Sequence, residues 1–180
     1  MKKTVRKWFW VWQFEKEEQW LREMAAKGLT LDSVGFCRYD FIETEPGAYN
    51  FQMELLEHWP NHPESEQYIR FLEETGAEHV GSMMRWVYFR KKAELGPFAL
   101  YSDCASRVKH LGRIMGMLIP VTVYDLWVGF YNLSLYFANR MTVSLVCAGI
   151  CLLAAVLMGY AVFRLYRMQK RVKDDAKLYE

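Results

Sequence analysis

From Met141 to Phe163 the chain runs 23 residues without a charge, and five cations follow within the next ten positions (Arg164, Arg167, Lys170, Arg171, Lys173). As a helix rising 1.5 Å per residue, that stretch spans roughly 34 Å, enough to cross a hydrocarbon core of about 30 Å. A second apolar stretch, Ile114 to Ala138, precedes it and is interrupted only by Asp125. Cations lie before the first stretch (Arg107, Lys109, Arg113) and after the second, with a short turn at Asn139-Arg140 between them. Basic flanks mark the cytoplasmic side, so a two-span hairpin with both termini in the cytoplasm is expected. The expected organisation is a cytosolic domain over 1–95, a linker and amphipathic helix over 96–113, spans over 114–138 and 141–163, and a basic tail over 164–180.

Charge separates these parts. Residues 1–95 hold 13 Lys+Arg against 16 Asp+Glu, while the remainder holds 10 against 5. A mildly acidic domain lacks the clustered cations that phosphate contacts need, so nucleic acid is not an expected partner. The lipid bilayer is one, and the positive excess sits where it meets anionic headgroups. Four cysteines (Cys37, Cys104, Cys147, Cys151) form no CxxC and no dense framework, which suits a reducing compartment.

Within the N-terminal part, Val5 to Trp12 is β-branched and aromatic, the composition of a strand. Residues 14–27 carry helical spacing through Trp20, Leu21, Met24 and Ala25, and Gly28 stands where a left-handed cap ends a helix. Leu31 to Ile42 returns to strand chemistry, Glu45-Pro46-Gly47 is a turn, and Tyr49, Phe51, Met53 and Leu55 alternate. Pro63 is a plausible first residue of a second helix that Gly76 ends, and Val80 to Arg90 is a last strand. The order β-α-β-β-α-β, two helix–Gly–strand halves in tandem, predicts an α+β ferredoxin-like sandwich followed by the transmembrane hairpin.

Alternation then sorts the aromatics. Trp8, Trp10 and Trp12 share one face of the first strand, and Trp86 and Tyr88 one face of the last; Phe9, Phe51 and Phe89 are assigned to the helix-covered side. Helices cover one face of such a sheet, so the Trp/Tyr face is the expected binding surface, for a protein partner, a ligand or a homodimer mate. No catalytic set, phosphate loop or cofactor motif is present in the sequence, and no enzyme activity or cofactor is expected. His58, His62, Glu57 and Glu64 have loose metal spacing, but Pro60 and Pro63 make that segment a rigid turn, and no metal site is expected. Inside the membrane part, Asp125 is a polar group near mid-span that should face protein. Cys147, Cys151, Ala155 and Gly159 recur every four residues as a small-residue packing ridge.

The runs from Lys7-Trp8-Phe9-Trp10 to Met24-Ala25-Ala26-Lys27-Gly28, from Tyr68 to Gly76 and from Met84 to Lys92 resemble the domain of unknown function 2812 over roughly residues 4–113. The resemblance implies a mostly Gram-positive bacterial family, often with C-terminal membrane helices and often encoded beside PadR-type transcriptional regulators. It implies no activity and no catalytic residue. The functional expectation is a membrane-anchored sensory or interaction module in signalling or stress-linked transcriptional regulation. The rivals are an accessory subunit of a membrane transporter and, behind it, a ferredoxin-like barrel enzyme.

Overall fold

A computed structural model describes residues 2–98, 100 and 104–177. It divides into an N-terminal unit up to Ser102 and a C-terminal unit from Asp103. The N-terminal unit is α+β and the C-terminal unit is a pair of long apolar helices, as the sequence predicts. Ser102 and Asp103, either of which has the side chain to N-cap the third helix, lie outside the described residues.

The strands are more numerous than the sequence suggests. They are β1 (Lys2–Arg6), β2 (Leu29–Gly35), β3 (Arg38–Glu43), β4 (Tyr49–Leu55), β5 (Ala77–Met83) and β6 (Trp86–Lys92), with α1 (Phe14–Ala26) and α2 (Pro63–Glu74) between them. They form two antiparallel sheets, β1-β3-β2 and β4-β6-β5. The stretches read as single strands, 31–42 and 80–90, each fold into a hairpin. Their turns place Cys37 (φ 52°) and Met84 (φ 56°) in the left-handed region, without the glycine or asparagine that usually marks such turns. The first strand ends at Arg6, and residues 11–13 form a 3-10 turn, so the Trp8–Trp12 segment has no alternating faces.

The result is one βαββ unit repeated. Gly28 and Gly76, 48 positions apart, follow α1 and α2 with φ of +79° and +87°. The register irregularities at Leu31/Ser33 and His79/Gly81 repeat at the same spacing. So do the hairpin tips, 36–37 and 84–85. Lys7 donates its N–H to Cys37 as Leu56 donates to Arg85, so even the strand exits correspond.

β2 and β5 lie side by side. Arg90, paired across from Glu78, donates Nη1 to the Leu31 carbonyl at 2.9 Å, and a Cβ at Gly81 would stand 3.2 Å from Val34. Both contacts match residues 47 apart, so the two strands run parallel, since an arginine cannot reach along an antiparallel neighbour to satisfy both. The sheets therefore join at this seam and diverge around α1. Tyr39 and Phe41 meet α1 from the first sheet through Trp20, and Trp86 meets Phe14 from the second.

The uncovered Trp/Tyr face expected from sequence is thus corrected. Trp86 and Tyr88 are 6% and 1% exposed on the side of the second sheet shared with Met53 and Leu55. Phe51 belongs to that side too, because it pairs with Arg90, two residues from Tyr88. Val87 and Phe89, on the opposite side, pack with Ile69 and Leu72 of α2. β6 is apolar on both faces because a helix covers each.

In the second unit, α3 (Cys104–Asn139) and α4 (Thr142–Lys177) are each long and apolar enough to cross a membrane. The expected amphipathic helix and first span are one continuous helix, with Pro120 inside it. Arg140 at φ 55° makes the turn between α3 and α4. Their contact is antiparallel: a Cβ at Gly129 would stand 2.8 Å from Leu152, and Gln169 Nε2 donates to the Val108 carbonyl at 3.0 Å.

Candidate functional site

α1 carries its buried stripe at helical spacing: Phe14, Glu17, Leu21, Met24 and Ala25. Glu17 is therefore drawn inside with its apolar neighbours, between the two sheets. Its Oε1 accepts from Tyr39 Oη at 2.7 Å and from Tyr88 Oη at 2.8 Å. Burial raises the Glu17 carboxyl above its ordinary range, and the two tyrosine donors oppose that rise. Both tyrosines are pushed up as well, by burial first and then by the Glu17 charge. The next residue, Glu18, accepts the Met53 backbone N–H at 2.9 Å, which satisfies an outward-pointing donor of the β4 edge. This cluster clamps α1 to both halves of the repeat.

The predicted aromatic set is split. Trp12, Trp86 and Tyr88 are buried, whereas Trp8 and Trp10 are 56% and 42% exposed. The rings form a run from surface to core: Phe36 to Trp8 at 5.9 Å, Trp8 to Trp10 at 5.7 Å, and Trp10 stacked on Trp12 at 4.9 Å. Phe36 is the first turn residue of the β2–β3 hairpin and is exposed. At the equivalent places of the second half stand Met84, in the β5–β6 turn, and Trp59, after β4; both are exposed. Because β2 and β5 run parallel, the two tips and the two strand exits lie at one end of the domain. Trp8, Trp10, Phe36, Trp59 and Met84 thus make one apolar end, and sequence reading found only its first two members. The signal for the others was the 48-residue repeat.

The cations Arg6, Lys7, Arg38 and Arg85 belong to the same tips and exits. Lys7 Nζ lies over the rings of Phe9 and Trp20 at 4.9 and 4.5 Å. Behind Trp59, His58, His62 and Glu64 bring one ligand atom each to within 4.8 Å of one another, with His58 Nε2 3.3 Å from Glu64 Oε2. His62 Nδ1 accepts the Glu64 N–H at 3.4 Å as the cap of α2. The positive end of that helix and Arg85, which lines the same depression, oppose a cation there.

In the hairpin, a heptad of half-buried and buried positions runs along each helix, with further buried residues such as Ile114 and Ala161 beside it. On α3 the heptad positions are Leu111, Met115, Leu118, Thr122, Asp125, Gly129 and Asn132; on α4 they are Ser144, Ala148, Cys151, Ala155, Met158, Val162 and Leu165. Asp125 accordingly lies on the seam, and the antiparallel register places it level with Ala155. Of the four-spaced ridge, Cys151 and Ala155 are on the seam. Cys147 is exposed, and a Cβ at Gly159 would touch nothing within 4 Å among the described residues. A four-residue step turns about 40° around a helix, so such a ridge drifts off an antiparallel seam. Thr122 and Asn132 donate to the carbonyls of Leu118 and Val128, four residues back, at 2.9 Å each, which satisfies both within the helix.

No curated protein and no solved structure matches the chain. A family model does match, over residues 13–123, from the 3-10 turn before α1 to the first half of α3. The chain belongs to the family described as protein of unknown function (DUF2812).

Proposed function

We propose that this chain is an interaction module held at the cytoplasmic face of a bacterial membrane by a two-span hairpin, with both termini in the cytoplasm. Its binding surface is the hairpin-tip end of the α+β domain. The observation that carries this reading is the gathering of five exposed large apolar side chains, from four separate segments, at one end of a small domain. Core formation does not require that exposure, and surfaces of this kind are contact sites. The link to transcriptional regulators that the family resemblance implies directs the module towards signalling or stress-linked regulation rather than catalysis. The cations flanking the two apolar helices support the orientation.

Site-specific photocrosslinking tests the surface. A photoreactive residue at Phe36 or Met84 should give adducts in native membranes, while one at Glu45, in the turn at the other end of β3, should not. Adducts of equal yield from all three positions would refute the assignment.

A further inference from the structure

We infer that the hairpin-tip end is occupied by the anionic lipid surface of the bilayer, so that the domain lies with its two β-turns in the headgroup region. This rests on the reading of that end as the binding surface and names its partner. Three observations converge on it. The first is side-chain chemistry. Trp8, Trp10 and Trp59 are exposed, and an indole, apolar with one N–H donor, favours the interface between water and hydrocarbon. Phe36 and Met84 project at the two turn tips, 78% and 67% exposed, as apolar wedges where the backbone reaches furthest.

The second is charge. Arg6, Lys7 and Arg85 stand at this end together with Arg38, which is paired with Asp40 at 3.1 Å, and the carboxylates beside them are Glu57 and Glu64, the latter 3.3 Å from His58. Aromatic tips ringed by cations match an anionic headgroup layer. The third is proximity. β6 ends at Lys92, at the Glu45 end, but the chain turns back over the second sheet, where Gln52 Nε2 donates to the Phe98 carbonyl at 3.3 Å and Leu100 packs against the cluster that includes Leu56. α3 begins at Cys104, so the tether to the apolar helices is short. A short tether gives a weak surface a high effective concentration of lipid.

Cys37, half-exposed beside Phe36, provides the probe site. The full chain, with Cys104, Cys147 and Cys151 replaced by serine or alanine, is labelled at Cys37 with a polarity-sensitive fluorophore. It is then placed in nanodiscs of phosphatidylcholine alone or with one quarter phosphatidylglycerol. In the anionic discs the probe should shift to the blue and be quenched by a lipid-borne quencher. Aqueous iodide should quench it several-fold less than it quenches a probe at Glu45→Cys, at the domain's other end. Phe36→Ser with Met84→Ser, both at exposed turns and so compatible with folding, should restore iodide access. Equal iodide quenching at Cys37 and Glu45→Cys in both lipid compositions overturns the inference. If the probe stays wet while Phe36 still crosslinks to a protein in native membranes, the lipid assignment fails and the binding surface stands. If neither is seen, both fail.

Discussion

Replacing Glu17 by alanine should destabilise the α+β domain through its two tyrosine partners rather than through lost volume. Two hydroxyls, 2.7 and 2.8 Å from one carboxylate oxygen, lose their acceptor together. Hydrogen bonds to a charged group contribute about 1.5–3 kcal/mol each, and relief of a desolvated carboxylate returns part of that. A net loss of about 3 kcal/mol follows, or roughly 10–20 °C in melting temperature for a domain of this size. Tryptophan fluorescence reports it in the intact chain, because six of the seven tryptophans lie in the domain. The decisive comparison is a cycle. Tyr39→Phe and Tyr88→Phe should each cost about 1–2 kcal/mol alone, yet be neutral or stabilising once Glu17 is alanine, since each then removes an orphaned hydroxyl. The pH dependence has a definite sign. Burial raises the folded-state carboxyl above its unfolded value, so the native state alone holds the proton between the two values. Stability is therefore fully present below the unfolded value and falls as pH rises through the folded one. Glu17→Gln should flatten that slope. Additive losses across the cycle, or an unchanged slope in Glu17→Gln, would refute the clamp.

The hairpin seam predicts that Gly129→Leu will loosen the helix pair in detergent, seen as faster proteolysis, because a Cβ there already crowds Leu152, while Gly159→Leu leaves it unchanged. Gly28→Ala should cost more than Gly47→Ala in thermal melts: both hold positive φ, but only at Gly28 would a Cβ stand 2.9 Å from a backbone oxygen, that of Thr44. The strained φ alone is worth about 1–2 kcal/mol at each. Reporters fused after Glu180 and inserted within the 96–103 linker should both read cytoplasm; a signal from the opposite side for either would break the proposed topology.

How much of this was legible beforehand differs element by element. The hairpin could be read because 23 uncharged residues admit few alternatives. Both domain helices could be read because Gly28 and Gly76 punctuate them. The extra strands were hidden, since their turns are Phe36-Cys37 and Met84-Arg85, which lack turn chemistry; only the unusual length of the presumed strands hinted at them. Glu17, flanked by Glu15 and Glu18, has the composition of a solvated helix face, though its spacing from Phe14 and Leu21 puts it on the buried stripe. Nothing local in the sequence shows that Tyr39 and Tyr88, 49 residues apart, converge on it. Asp125 continues the heptad that Leu111, Met115, Leu118 and Thr122 begin, on the protein-facing side expected of a mid-span carboxylate, whereas a four-residue step carries Cys147 and Gly159 off the seam.

The native cysteines test membrane anchorage most directly. Cys104 and Cys147 are both exposed on the surface of the helix pair. In water a maleimide would label them alike; in a bilayer, only Cys104, at the start of α3, remains in water. With a membrane-impermeant maleimide on protoplasts expressing the chain, the account predicts no labelling while cells are intact. After the cells are opened it predicts labelling of Cys104 and none of Cys147. Labelling of Cys104 in intact protoplasts would contradict the cytoplasmic orientation, and labelling of Cys147 as fast as Cys104 in opened ones would contradict the membrane span itself.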